Sequence, residues 1–196
     1  LEPSSAASDV YKRQYESNEI GVKVDISDDL SFTAAFFESE QTVASKDDVT
    51  GEDVDIKGLT VDGFEAELKG NLTDKFSLVA GFTAMDGETS SGGEPREIPD
   101  QMLTLYGTYE ISDKAGIAFG FTKQGESNIK NNKPDLILPS YTRFDMAAYY
   151  NISDDLVLRF NVENLTDELY FPHSHSTHQA SVGEEKNVRV SISKKF

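Results

Sequence analysis

The chain has 196 residues, of which 35 are acidic, 18 are basic and none is cysteine, giving a net charge of -17. The length suits one domain of ordinary size. The acidity excludes nucleic acid as a partner, because phosphate binding needs clustered Lys and Arg, and the lack of cysteine excludes a disulfide scaffold, a thiolate metal site and a cysteine nucleophile.

No run approaches the ~18 apolar residues of a membrane helix, and the first residues lack the basic start and apolar stretch of a signal peptide. Leu1 to Gln14 show no alternation and read as a foreign or disordered segment. From Tyr15 apolar and polar residues alternate, the period of a strand. The first strand covers about Tyr15 to Ile26, with Ile20, Val22, Val24 and Ile26 on one face. Ser27-Asp28-Asp29 turns the chain into a second strand from Leu30 to about Val43. A polar loop is expected over 44–55, then a third strand from about Ile56 to Leu72, and a turn at Thr73-Asp74-Lys75. The fourth strand starts at Phe76 and gives way to a loop expected over 86–100. The fifth (Gln101 to Ile111) and the sixth (around Ile117 to Thr122) flank a turn at 112–116, and a loop is expected over 127–139. The seventh (Tyr141 to Ile152) and the eighth (from Leu156) flank Ser153-Asp154-Asp155, a last loop spans 166–185, and a ninth strand, with Val188, Val190, Ile192 and Phe196 on one face, ends the chain.

Two regularities decide the fold class. Short turns alternate strictly with long loops, and the strands run to about ten residues, whereas soluble strands have a mode of ~5–6. Membrane strands need ~9–11 residues when tilted. Together these are the signature of an antiparallel transmembrane β-barrel. A soluble β-sandwich predicts the same alternation but neither strand length nor the short/long rhythm. Phe76, Tyr109, Tyr141 and Tyr150 stand near strand ends and suit interfacial girdles. Bacterial single-chain barrels have an even strand count, so nine strands imply a further strand before Tyr15.

Specific motifs then point to a family. Asn161-Val162-Glu163-Asn164-Leu165-Thr166-Asp167-Glu168-Leu169-Tyr170-Phe171 resembles the N-V-x-N-L-T/F-D-x-x-Y signature near the C-terminus of TonB-dependent outer-membrane receptors. Leu138-Pro139-Ser140-Tyr141-Thr142-Arg143-Phe144-Asp145 is similar to the L-P-x-Y-x-x-x-D entry of an adjoining strand in the siderophore-receptor branch. Asp62-Gly63-Phe64-Glu65-Ala66-Glu67-Leu68 resembles its x-G-x-E-x-E-L strand, and Asn187 to Ile192 with terminal Phe196 its last strand. Gly183-Glu184-Glu185-Lys186 departs from the G-x-P-R common before that strand.

The resemblance implies that residues 15–196 are the C-terminal nine strands of a plugged, 22-stranded barrel, without its plug. It implies TonB-energised uptake of a ferric siderophore across the outer membrane of a Gram-negative bacterium. The alternatives are a haem or other TonB-dependent receptor and a passive porin-like barrel. The partners implied are ferric siderophore or haem, the TonB complex through the plug, outer-membrane lipid, and the assembly machinery that reads the strand ending at Phe196. No resident cofactor is implied, since iron arrives as substrate.

Candidate site residues are few. His173, His175 and His178 are the chain's three histidines, and their H-x-H-x-x-H spacing can offer imidazoles to a metal or haem iron, or can be a solvated loop. Tyr170 and Phe171 can stack on a chelate at a pocket rim or belong to an aromatic belt. Glu65, Glu67, Arg143, Asp145 and Arg159 fall on the lumen face. There they read as wall charges that pair with one another or with a plug, rather than as acid–base catalysts.

Overall fold

The computed structural model describes residues 14–46 and 49–196. Most of the N-terminal segment set apart above, and Asp47 and Asp48 of the first acidic loop, lie outside the described residues.

The chain forms one antiparallel sheet of nine strands. In chain order these are β1 (Gln14–Ser27), β2 (Leu30–Lys46), β3 (Asp53–Thr73), β4 (Phe76–Thr89), β5 (Gln101–Ser112), β6 (Ala115–Gln124), β9 (Tyr141–Ser153), β10 (Leu156–Glu163) and β13 (Asn187–Lys194). They lie side by side in that order, each next to its predecessor among the nine. Two small hairpins stand apart from the sheet, β7 (Ser127–Asn128) with β8 (Ile137–Leu138) and β11 (His173–Ser176) with β12 (Gln179–Ser181). They occupy stretches expected to be loops.

Strand order and turns match the expectation, but the outer boundaries do not. β2 and β3 remain paired out to Val43↔Ile56, Ala44↔Asp55 and Lys46↔Asp53, so the loop expected over 44–55 shrinks to a hairpin tip. β4 likewise runs to Thr89. The apolar alternation stops where lipid would stop, whereas the backbone ladder needs no lipid and continues. With 21 residues, β3 is ~70 Å long at strand rise, more than twice a ~30 Å hydrocarbon core even before tilt.

The register gathers the apolar residues onto one face. Val24, Phe32, Leu68, Ala80, Leu105, Phe121 and Phe144 are successive cross-strand partners. So are Phe119, Met146, Val162 and Val188 lower down. Large side chains on this face are open, as at Ile20 (76% exposed) and Ile192 (67%), far more bare apolar surface than a water-facing sheet carries. The other face carries Lys23, Thr33, Glu67, Gly81, Thr104, Thr122 and Arg143 in one row. Phe76, Tyr109 and Tyr150 belong to the apolar face. Tyr141 does not suit a girdle, because its alternation places it with Arg143 and Asp145 on the polar side.

The four short turns are one device used four times. Ser27-Asp28-Asp29, Thr73-Asp74-Lys75, Ser112-Asp113-Lys114 and Ser153-Asp154-Asp155 each follow an apolar residue (Ile26, Leu72, Ile111, Ile152) that the register steps past as a bulge. The turn hydroxyl can satisfy the turn backbone, as Thr73 Oγ1 does in accepting from Phe76 N–H at 3.1 Å. The turn then stitches to the following strand. Asn71 N–H donates to Asp29 O (2.9 Å), Glu110 to Lys75 (2.8 Å), Asn151 to Lys114 (2.7 Å) and Lys195 to Asp155 (2.9 Å). β13 ends at Lys194, short of the expected end of the alternation, leaving Phe196 fully exposed with Lys194 Nζ 5.7 Å above its ring.

Candidate functional site

Most of the functional candidates gather at the long-loop end, whereas Glu65, Glu67 and Arg159 lie on the wall below it. The first feature at that end is a polar node where β10 stops. Asn164 (1% exposed) and Asp167 both have φ in the left-handed region, 51° and 57°, where Asn and Asp are the side chains best tolerated after glycine. Asn164 N–H donates to Asp145 Oδ1 at 2.9 Å, and its side-chain amide donates to the Glu168 and Glu184 carbonyls at 2.9 Å each. Asn164 Oδ1 accepts from Glu168 N–H at 2.9 Å, and Asp167 Oδ1 from Lys186 N–H at 2.8 Å. The Asn-x-x-Asp spacing thus fastens both ends of the last loop to the strand beneath it. Asn164-Leu165-Thr166 forms a turn closed by Asp167 N–H donating to Asn164 O at 2.9 Å.

Arg143 extends the node across the lumen face. Its Nη2 lies 2.9 Å from Asp145 Oδ2, and its Nη1 donates to Tyr170 Oη at 3.1 Å. Tyr170 stacks on Tyr141 (centroids 4.7 Å apart), packs over Gly183 and is 6% exposed. Its ring is therefore covered by its own chain and lies in no aromatic belt. Phe171 beside it is half-buried. Arg159, lower on the wall, donates to Ser193 Oγ at 3.2 Å. Glu65 and Glu67 stand on the lumen face of β3 beside Thr33, Thr83, Met102 and Thr104, apart from the node.

Above the strands the long loops clasp one another. Glu97, at φ 56°, is the centre. Its Oε2 accepts from Arg96 Nη2 at 2.7 Å, its Oε1 from Ser174 N–H at 2.7 Å, and its own N–H donates to Asn128 O at 2.8 Å. Arg96 also reaches the Ser174 and His175 carbonyls at 3.4 Å. Burial opposes ionisation of Glu97, but the bonds from Arg96 and Ser174, with the charges of Arg96 and His173, hold its carboxyl below the usual range. Asn132 pins the 90–100 segment, accepting from Thr89 Oγ1 and donating to Ser91 Oγ, both at 2.7 Å. Nothing in the sequence motifs marked Arg96, Glu97, Asn128, Asn132 or Ser174. Apart from the neighbours Arg96 and Glu97, the residues joined by these bonds stand 31 to 79 apart along the chain.

His173, His175 and His178 ride on the β11–β12 hairpin with exposed side chains. Among the described residues no three of His, Cys, Asp or Glu converge as a metal site. Beside the clasp lies a cavity of about 270 Å³, between the 90–100 and 125–140 segments and floored by the end of β4.

With the sheet, its two faces and its outer apron described, comparison with known proteins is decisive. Residues 14–165 match the model of the TonB dependent receptor-like β-barrel. The chain belongs to this family. It is 30% identical over 200 residues to the probable TonB-dependent siderophore receptor PiuA of Acinetobacter baumannii, covering 91% of this chain and 26% of that receptor. It is 28% identical to the metal-pseudopaline receptor CntO of Pseudomonas aeruginosa, covering 89% and 26%. The crystal structure of PiuA superposes with a TM-score of 0.79 at 28% identity over 93% of this chain and 28% of that one. The chain thus spans about a quarter of the length of the curated relatives it matches. BauA, the ferric preacinetobactin receptor of Acinetobacter baumannii, shares the fold with a TM-score of 0.81 at 21% identity over 94% of this chain and 30% of its own. Membership in the family places the chain in the outer membrane of a Gram-negative bacterium.

Proposed function

We propose that residues 15–196 form the C-terminal part of the barrel of a receptor that takes up a ferric siderophore with energy delivered through TonB. The observation that carries this reading is the family match over residues 14–165, joined to 28% identity with a siderophore receptor of the same fold. The molecule suits the task physically. A polar lumen wall lies under an apron of mutually bonded loops, and such loops can hold a chelate above the channel while the wall supplies part of the binding surface.

The chain itself does no covalent chemistry in this scheme. Arg143 and Asp145 neutralise one another on the wall, and Glu65 and Glu67 face the lumen for a plug or a solvated chelate to meet. Iron passes as substrate, with no resident cofactor. TonB acts through a plug supplied by the longer protein. The assembly machinery reads β13 and the exposed Phe196 beyond it. Siderophore is preferred to haem because the similar receptors are named for siderophores, among them a probable siderophore receptor, a ferripyoverdine receptor and a ferrioxamine B receptor.

The test is growth on defined iron sources after deletion of the parent gene. Loss of growth on one class of ferric chelate, restored by the intact gene, is the expected result. Unchanged growth on every chelate and on haem overturns the proposal.

A further inference from the structure

The last loop, residues 166–186, is held at two places by bonds of different kinds. At its base, the buried Asn164 and Asp167 fasten both ends of the loop, and Gly183 N–H closes on the Tyr170 carbonyl at 2.8 Å. Tyr170 itself is buried against Tyr141 and Arg143. Beyond that closure only residues 171–182 remain. Within them β11 pairs with β12 through His173↔Ser181 and Ser174↔Ala180. This piece is therefore a hairpin arm that swings as one body.

The hold at the tip is different. Ser174 N–H donates to Glu97 Oε1 at 2.7 Å, but Arg96 reaches the Ser174 and His175 carbonyls only at 3.4 Å. Ser174 Oγ lies 3.5 Å from the Ile129 carbonyl, longer than a good hydrogen bond. Ser174 is buried there, yet the side chains of Arg96 and Glu97 that hold it are 45% and 29% exposed, so water competes for their charges. Local opening starts where buried contacts are fewest, which here is the tip and not the base.

The arm lies across the outer opening of the barrel. It starts on the lumen side, where Tyr170 meets Tyr141 and Arg143. It ends at the 90–100 segment, which also folds inward: Pro95 fills the space that a side chain on Gly87 would take, and Gly87 alternates with Thr83 and Met85 on the lumen face. The sheet order β5-β6-β9-β10 puts β6 and β9 between the two points. The arm thus bridges about 14 Å at the spacing of neighbouring strands.

We propose that residues 171–182 form a strap over this opening, hinged at Tyr170 and Gly183 and fastened at Glu97, and that a chelate enters the lumen only while the fastening is released. The last clause rests on the uptake function proposed above; the hinge and the fastening do not.

Distances between spin labels on the full-length receptor in detergent test the mechanics without iron. Labels on cysteines introduced at Ser90 and Thr177 read the tip. Labels at Glu168 and Glu184 read the base, because both carbonyls there accept from one Asn164 amide. Glu97→Ala should lengthen and broaden the tip distance and leave the base distance unchanged. Heat-modifiable gel mobility checks that each variant folds. An unchanged tip distance, or equal broadening at the base, overturns the assignment.

Two cysteine pairs test entry in cells. Glu97→Cys/Ser174→Cys joined by a short bis-methanethiosulfonate locks the tip, and Glu168→Cys/Glu184→Cys joined in the same way locks the base. The probes are radioiron complexes of a trihydroxamate, a tris-catecholate and a carboxylate chelator. The tip-locked receptor should lose the uptake shown by the wild type and regain it when dithiothreitol cleaves the link, whereas the base-locked receptor should transport throughout. Uptake by the tip-locked form, or equal loss in the base-locked form, overturns the proposal. Uptake of no complex even by the wild type, with the label distances as expected, sinks the uptake function and leaves the hinge and the fastening standing.

Discussion

Asn164 and Glu97 do the structural work of the outer end with single side chains. Asn164 joins β9, the start of the last loop and the residues before β13 through bonds at 2.9 Å, all at a position 1% exposed. Alanine there keeps the strained φ and strands a buried N–H and two carbonyls. Asn164→Ala is expected to cost on the order of 3 kcal/mol, measured as a lower urea midpoint of the full-length receptor in micelles. Asn164→Asp should cost at least as much, because a buried carboxylate turns an oxygen toward the Glu168 and Glu184 carbonyls where the amide donated. Glu97 carries a pH dependence. Its carboxyl pKa is lowered from the ordinary 4.5 by its net partners, so its contribution to the clasp is full above that value. The contribution declines as pH falls from there toward the folded pKa and is absent below it. A spin label at Thr177, on the exposed hairpin turn, should stay restricted from neutral pH down to about 4.5 and become mobile below. Glu97→Gln should remove that transition. Restricted motion at every pH in the wild type would count against Glu97 as the clasp.

At the scale of elements, what was legible in the sequence depended on periodicity. All nine long strands and four short turns could be read, because lipid on one face and lumen on the other force a period of two, and Ser/Thr-Asp punctuates each turn. The ends of β2, β3 and β4 could not be read, because above the membrane the ladder persists without an apolar signal. The two small hairpins were missed for a related reason. β7–β8 and β11–β12 are held by loop-to-loop bonds such as Ser174 N–H to Glu97 and Glu97 N–H to Asn128, and no local pattern encodes a partner so distant. Of the candidate site, the motif from Asn161 to Phe171 was legible as a family mark but not as a buried node, and Tyr170 proved a packing residue. Gly183 makes that packing possible, since a Cβ there would overlap the Tyr170 ring. Gly183→Ala is therefore expected to expel Tyr170 from Tyr141 and loosen the last loop, seen as faster proteolytic nicking within 170–183 while the strands below stay protected. Equal nicking in the two proteins would place the loop's anchor elsewhere.

For the molecule as a whole, the two faces of the sheet make opposite demands on neighbouring residues. Leu105 sits in the middle apolar row between Ala80 and Phe121, while Thr104, one residue before it, sits in the lumen row between Gly81 and Thr122. The same charge placed at each should therefore have unequal effects. Arginine on the lipid face near the bilayer midplane costs ~2–4 kcal/mol, enough to block stable insertion of a marginal barrel. On the lumen face the charge meets water and wall carboxylates such as Glu67, its neighbour but one along the row. Leu105→Arg in the full-length receptor is expected to reduce the folded, heat-modifiable form in the outer membrane severely, and Thr104→Arg only slightly. The contrast separates a membrane barrel from a soluble sandwich, because a sandwich buries its apolar face in protein and would give a water-soluble fold with Thr104 outside. If both variants assemble equally well in the outer membrane, the assignment of the two faces fails, and with it the lumen-side placement of Arg143, Asp145, Glu65 and Glu67.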